Sequence, residues 1–121
     1  MSSFKKLDVW KNSISLVKYI YLVTSNFLQT EIYTLTSQMR RAEISILSNI
    51  AERYSRTTVE FARFISISHG SCSELKTQII IAKEIGFLKD KEYENLIYET
   101  NKIPKMLKSL ERKIRGKIND Q

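Results

Sequence analysis

The sequence predicts an all-α protein, folded as an antiparallel up-down-up-down four-helix bundle. Three observations lead to this prediction. The chain holds only three glycines and one proline among its 121 residues, too few turn residues for a many-stranded sheet. Apolar residues make up 42% of the chain and recur at three- and four-residue steps, the period of an amphipathic helix. Short connections between the periodic segments place consecutive helices side by side in opposite directions.

The length and composition favour a single domain. A chain of this size can bury a continuous core without disulfides or metal, so we expect residues 1–121 to form one four-helix-bundle domain with a frayed C-terminus. The single cysteine, Cys72, cannot form an internal disulfide. No stretch is apolar enough for a signal core or a bilayer span. These features predict a cytoplasmic protein with no membrane contact.

The first helix is predicted to run from Leu7 to about Ser25 and Asn26, whose side chains compete with backbone hydrogen bonds and favour a turn. The second helix is predicted to begin between residues 33 and 37, with Thr34 or Thr36 as the N-cap, and to end near residue 54.

The second helix carries two apolar stripes on nearly opposite sides of a helical wheel. The first stripe consists of Leu35, Met39, Ala42, Ile46 and Ile50. The second consists of Ile44, Leu47, Ala51 and Tyr54. Only one stripe can face the bundle, so we predict that the second forms an oligomer interface.

The third and fourth helices are separated by a glycine turn. Thr57 or Thr58 is the predicted N-cap of the third helix, and Gly86 is its predicted C′ residue. The fourth helix contains Pro104, which removes a hydrogen bond to the carbonyl of Thr100. We therefore expect a kink near Thr100.

The formal net charge of +7 favours a polyanionic partner. The positive charge is concentrated near the C-terminus, where the segment from 102 to 117 opposes many basic residues with Glu111 alone. We predict phosphate contacts there by Lys105, Lys108, Arg112 and Lys113. The alternative interpretation is a charged face that is only solvated.

Four arginines on and just after the second helix form another candidate group: Arg40, Arg41, Arg53 and Arg56. Guanidinium forks match phosphate geometry, but Glu43 and Glu52 lie nearby in sequence. These arginines could either pair with acidic residues of the protein or contact nucleic acid, and the sequence leaves both alternatives open.

Asn49 and Glu52 lie with Arg41 on the polar flank of the second helix. We interpret these three residues as a structural polar network that fixes helix register, with ligand binding as the alternative.

The sequence contains no convincing combination of residues for a catalytic or a metal site. His69 and Cys72 have helical spacing, but a structural zinc needs four ligands and the sequence has no other His or Cys. The serines around His69 lack a nucleophile turn and an orienting acid. We predict no catalytic residue, no metal and no cofactor.

Several short fragments of the sequence together form a recognisable pattern. They are Phe4, Leu7, Val9 and Trp10; Leu35-Thr36-Ser37-Gln38-Met39-Arg40-Arg41-Ala42; Ser45-Ile46 and Asn49-Ile50-Ala51-Glu52; Glu60-Phe61 and Arg63-Phe64; Gly70-Ser71, Glu74-Leu75 and Thr77-Gln78; and Ala82, Gly86 and Leu88. With these fragments the chain resembles the four-helix-bundle proteins encoded in intervening sequences of bacterial 23S ribosomal RNA genes. The sequence departs from the family pattern at Arg53 in place of glycine, at Leu47 in place of proline, and in the additional Pro104.

The resemblance implies a protein with no assigned catalytic group. It also implies a homopentamer, because members resemble the accessory variability proteins of diversity-generating retroelements, five-subunit barrels that bind nucleic acid and a reverse transcriptase. We therefore expect a non-enzymatic, oligomeric protein that binds nucleic acid, RNA first. The alternative is a structural adaptor that recruits a protein such as a reverse transcriptase through its pentameric surface.

Overall fold

A computed structural model describes residues 4–31, 34–53 and 58–119, with the side chains of all these except 52, 53, 58, 61, 62, 114, 115 and 117–119. In these ranges the chain forms four α-helices and no β-strand, which confirms the all-α prediction for the part described. The helices are α1 (Asp8–Thr24), α2 (Leu35–Arg53), α3 (Thr58–Glu84) and α4 (Asp90–Asn119), with short 3-10 turns at Phe4–Lys6 and Gln29–Glu31.

One apolar core joins the four helices. Each helix contributes aliphatic side chains that are essentially inaccessible to solvent: Leu16 and Ile20; Met39, Ile46 and Ile50; Ile65, Leu75 and Ile79; and Leu96, Ile103 and Leu107. Burial of each such side chain contributes roughly 1.5–3 kcal/mol. The first stripe predicted on α2 belongs to this core, with Leu35 at its half-buried edge.

The helices pack in a closed ring. α1 contacts α2, α2 contacts α3, α3 contacts α4, and α4 contacts α1. Near one end of the α1 and α2 pair, Arg40 Nε donates a hydrogen bond to Thr24 Oγ1 at 3.0 Å. In the α3 and α4 pair, Ser66 Oγ near the start of α3 donates to Glu111 Oε2 late in α4 at 2.9 Å. These contacts are compatible with antiparallel packing.

The predicted boundary of α1 is confirmed. Ser25 follows the last helical residue, its amide donates to the carbonyl of Tyr21 at 3.1 Å, and its hydroxyl donates to the carbonyl of Leu22 at 2.6 Å. These bonds satisfy carbonyl groups at the end of the helix that have no helical partner.

Thr34 immediately precedes α2, and its carbonyl accepts the hydrogen bond of the Gln38 amide at 3.0 Å. Its hydroxyl donates to Glu31 Oε1 at 2.8 Å, which ties it to the preceding turn. Thr36, the other predicted N-cap, lies inside α2 and is buried.

Gly86 ends α3 as predicted. It has a positive φ of 86°. Its amide donates to the carbonyl of Lys83 at 3.1 Å, and the Phe87 amide donates to the carbonyl of Ala82 at 2.9 Å. This pair of bonds is a Schellman motif, which closes a helix through a residue in the left-handed region.

α4 begins with a side-chain cap from Glu92 and continues through its proline. The carbonyl of Lys89 accepts the amide of Tyr93, and the amide of Lys89 donates to Glu92 Oε1, both at 2.9 Å. Pro104 lies inside the helix without ending it. The bend expected near Thr100 stays a prediction. None of the helices in the described ranges has the length and apolar run that crossing a bilayer requires.

Gly70 inside α3 and Gly86 just after its end allow a matched test of stability. A Cβ on Gly86 or Gly70 would meet no atom within 4 Å, so conformation alone decides each effect. Gly86→Ala should destabilise the fold by about 1–2 kcal/mol because alanine disfavours a positive φ. Gly70→Ala, in the helix interior, should stabilise it by roughly 0.5–1 kcal/mol. Urea denaturation of both variants checks the opposite signs; equal effects would contradict the assigned role of Gly86.

Candidate nucleic-acid interface

Three of the four predicted C-terminal cations share one side of α4. The buried side of this helix carries Leu96, Thr100, Ile103 and Leu107. Lys105, Lys108 and Arg112 are exposed and follow one another at steps of three and four residues, which brings side chains onto one helical face. We call these three residues the basic stripe.

Lys113 faces a different part of the surface. It lines a cleft of about 400 Å³ between the start of α1 and the second half of α4, together with Lys6 and Asp8. Because consecutive helical residues are separated by about 100° around the axis, Lys113 is turned away from Arg112. The structure thus divides the predicted group.

The basic stripe is not neutralised by ion pairs among the described residues. Lys83 Nζ pairs with Asp90 Oδ1 at 2.9 Å, and Lys102 Nζ pairs with Glu99 Oε1 at 3.3 Å. The hydrogen bond and the charge of Asp90 raise the pKa of Lys83. Both pairs lie outside the stripe, which leaves its three charges available to solvent or to an anion.

One aromatic ring lies exposed close to the stripe. Phe87 and Tyr93 pack against the core. Tyr98 does not: it is 64% exposed and has Lys102 Nζ 4.6 Å from its ring centroid. Tyr98 precedes Lys105 by seven residues and therefore lies near the same side of α4.

The arginine group is only partly open to a ligand. Arg40 is half-buried, its Nε is bonded to Thr24 Oγ1, and its guanidinium carbon lies 4.3 Å from the ring centroid of Tyr21. Arg41 is exposed. The side chain of Arg53 and the whole of Arg56 lie outside the described residues. Arg40 is therefore engaged in joining α1 to α2.

The polar flank of α2 joins this helix to α3. Asn49 Nδ2 donates to the Ser45 carbonyl at 2.9 Å and to Ser45 Oγ at 3.3 Å. Ser45 Oγ lies 3.4 Å from Ser71 Oγ of α3. Of the other predicted network members, Arg41 is exposed and the side chain of Glu52 lies outside the described residues. Asn49 thus orients Ser45, which contacts Ser71 of α3. We did not predict the part of these two serines in the contact between α2 and α3.

The second apolar stripe of α2 is divided between surface and core. Ile44 is 41% exposed and Ala51 is partly exposed. Leu47 is buried within the chain, so it is not available to a partner in this conformation. Tyr54 lies outside the described residues.

Half-buried apolar residues of α1 extend the exposed part of that stripe. Trp10, Ile14 and Val17 are half-buried, and Tyr21 is exposed. They recur at steps of four, three and four residues and therefore share one side of α1. We call this row, together with Ile44 and Ala51, the α1–α2 surface.

Glu43 occupies a position that we did not foresee. Pairing of Glu43 with the nearby arginines was one of two open alternatives. Its side chain is 0% exposed and neither carboxyl oxygen has a hydrogen-bond partner among the described residues, so Glu43 pairs with no arginine among them. Burial raises the pKa of Glu43 to about 8, so the carboxyl carries its proton at neutral pH. Its position four residues after Met39 and three before Ile46 places it on the buried side of α2.

Cys72 of α3 lies close enough to Glu43 to be affected electrostatically. Burial, with the charge of Glu43 as the smaller cause, raises the pKa of the Cys72 thiol to about 12. The thiol is therefore neutral and has little nucleophilic character. Among the described residues, no group of three or more His, Cys, Asp or Glu side chains is placed to hold a metal ion.

Comparison with models of protein families matches residues 5–109 to the family described as 23S rRNA-intervening sequence protein. The match includes α1, α2, α3 and most of α4, and with them Lys105 and Lys108 of the basic stripe. No curated protein matches the chain.

The buried carboxyl predicts a pH dependence of stability. Between pH 4.5, the ordinary pKa of a glutamate, and pH 8, the folded state holds a proton that the unfolded state has released. The free energy of unfolding should therefore fall as the pH rises through this window, by up to about 5 kcal/mol in total. Glu43→Gln should remove this contribution, as measured by urea denaturation at pH 5, 6.5 and 8.

Glu74→Gln is the matched control, because Glu74 is an exposed carboxylate of the neighbouring helix. It should keep the pH dependence of the wild type. A Glu43→Gln variant with the same slope as the wild type would show that the Glu43 carboxyl is ionised in the folded protein.

Proposed function

The chain belongs to the 23S rRNA-intervening sequence protein family, and we propose that it is a non-enzymatic protein that binds nucleic acid through the phosphate backbone. RNA is the first choice because the family takes its name from insertions in ribosomal RNA genes. The basic stripe of α4 is the observation that carries the proposal.

The stripe has the properties that phosphate binding requires. Lys105, Lys108 and Arg112 are exposed, share one helical side and make no ion pair among the described residues. Steps of three and four residues separate successive cations by about 5–6 Å along the helix surface, close to the spacing of phosphates along a strand. Charges of this kind contribute affinity without reading sequence. Tyr98 adds one ring on which a base can stack.

We further propose that the four helices follow an antiparallel up-down-up-down order. The contact of Thr24 at the end of α1 with Arg40 early in α2, and the contact of Ser66 in the first half of α3 with Glu111 late in α4, support reversal of direction within these two pairs.

The α1–α2 surface supports self-association, for which we propose the homopentamer that the family resemblance implies. Under the antiparallel order, Tyr21 lies beside Arg40, and the same register places Val17 beside Ile44 and Trp10 beside Ala51. An apolar row on one helix therefore borders an apolar row on the next. Contiguous exposed apolar surface of this kind marks an interaction site.

The adaptor hypothesis has its own supporting observation on α3. Ile81 and Ile85 are exposed and lie on one side of the helix, since four residues are close to a whole turn. A pair of exposed isoleucines beyond the α1–α2 surface suits a protein partner such as a reverse transcriptase. In this alternative the oligomer presents α3 outward, and nucleic acid is bound by the partner.

The basic stripe predicts a salt-dependent affinity. Replacing Lys105, Lys108 and Arg112 together with glutamine should weaken binding of all RNA sequences alike. It should also reduce the slope of log affinity against log salt by about 2 for single strands, because each neutralised phosphate contributes about 0.7. Fluorescence anisotropy with labelled RNA at several salt concentrations measures both quantities.

A triple variant of Lys11, Lys18 and Lys91, all exposed, removes the same charge elsewhere and is the matched control. Equal loss in the two variants would indicate non-local attraction by net charge. Unchanged binding by the stripe variant would assign nucleic-acid binding to the arginines of α2 instead, of which Arg41 is exposed. Absence of RNA binding by the wild type at low salt would favour the adaptor.

The α1–α2 surface predicts a second effect. Ile44→Glu should shift the oligomer toward monomers without unfolding the chain, because it places a charge in an apolar interface while leaving the core intact. Ile80→Glu, at a residue of α3 that is 40% exposed, is the matched control and should leave the assembly unchanged. Multi-angle light scattering measures the mass, and a monomeric wild type at micromolar concentration would refute the proposed self-association.

A further inference from the structure

A cleft lies between α3 and α4 at the level of Pro104. Its volume is about 360 Å³. Ser73 and Lys76 of α3 form one wall, and Asn101, Pro104 and Lys105 of α4 form the other. Only Lys105 among these residues belongs to the basic stripe, so the cleft extends the cationic surface from α4 onto α3.

The inner wall of the cleft contains one buried hydroxyl group that has no hydrogen-bond partner among the described residues. Thr100 lines the cleft, is 1% exposed, and its hydroxyl has no hydrogen-bond partner among the described residues. Pro104 has no amide hydrogen to donate to the carbonyl of Thr100 in the preceding turn. A buried polar group without a partner destabilises a fold more than an apolar residue of the same shape. The Thr100 hydroxyl differs from the other buried groups without a partner among the described residues in that it borders this cleft, where a bound anion would supply the missing acceptor.

The outer part of the cleft is positively charged. Lys76 and Lys105 are both exposed and make no ion pair among the described residues. Asn101 and Ser73 add neutral hydrogen-bond donors, and the described residues that line the cleft include no acidic side chain. Cys72, which also lines it, is a neutral thiol because burial raises its pKa to about 12. This set of donors suits an anion with several acceptor oxygens.

We propose that this cleft binds one phosphodiester group of a nucleic-acid strand, held by Lys76 from α3 and by Lys105 and Asn101 from α4. Ser73 and Thr100 supply hydroxyl donors from the two walls. The inference rests on the proposed function and deepens it, because it adds a point of contact on α3. A strand that follows the basic stripe from Arg112 through Lys108 reaches Lys105 and then places its next phosphate in the cleft.

Lys76→Gln tests this site separately from the stripe. The affinity for a labelled single-stranded RNA should fall about fivefold at 0.1 M salt, and the log–log salt slope should fall by about 0.7, the contribution of one phosphate. Lys18→Gln, an equal loss of charge at an exposed residue of α1, should produce a clearly smaller change. Equal binding by Lys76→Gln and wild type overturns the cleft assignment, and loss in the stripe variant alone then leaves the proposed function standing.

Thr100→Val distinguishes a ligand-binding hydroxyl from a structural one. Valine has the same shape without the hydroxyl, so the variant should bind RNA more weakly while its melting temperature stays equal or rises. Unchanged affinity with a lower melting temperature overturns the role of Thr100 in the cleft.

Nuclear magnetic resonance of the Asn101 side-chain amide distinguishes the sources of phosphate. The signal should shift with RNA in the wild type and remain in place in Lys76→Gln. An equal shift with inorganic phosphate at the same concentration assigns the cleft to free phosphate and overturns the phosphodiester proposal. Absence of RNA binding by the wild type overturns both the cleft assignment and the proposed function.

Discussion

Burial of one side of every helix in a common core is the constraint on which the remaining structure depends. Side chains repeat every 3.6 residues around a helix, so fixing the buried side also fixes the exposed one. Leu96, Ile103 and Leu107 set the rotation of α4, and this rotation turns Lys105 and Lys108 toward solvent. The cationic surface is therefore a consequence of apolar packing on the opposite side of the same helix.

The core also accommodates groups that oppose its stability. The protonated form of Glu43 avoids a buried charge, since burial raises its pKa to about 8, but its carboxyl oxygens still lack partners among the described residues. Native domains retain only about 5–15 kcal/mol of net stability. The decrease of up to about 5 kcal/mol in the free energy of unfolding that Glu43 causes between pH 4.5 and pH 8 is a large share of this stability. The aliphatic side chains of the four helices must offset it.

Local signals in the sequence were sufficient for the helices and their ends. Gly86 was predictable because a Schellman motif depends on one residue and its immediate neighbours. The partners of Arg40 were not predictable, because Tyr21 and Thr24 reach it from another helix. Leu47 was assigned to the outside because α2 was expected to bury one narrow stripe. Contact with both α1 and α3 widens the buried arc enough to include it.

Glu43 and Pro104 mark the limits of local rules more directly. The position of Glu43 in the helical repeat places it on the buried side of α2, whereas its charge favours exposure to solvent. Only the assembled core shows that its position in the repeat decides the outcome. Pro104 breaks a rule in a different way, since an interior proline costs about 3 kcal/mol and no helix boundary accompanies it. Violations of local preference concentrate where a fold serves something besides its own stability. The middle of α4 combines such a violation with a buried Thr100 hydroxyl that has no partner among the described residues and with Lys76 and Lys105 on the two walls of the adjacent cleft. The local rule is thus broken at the place where the cationic cleft lies.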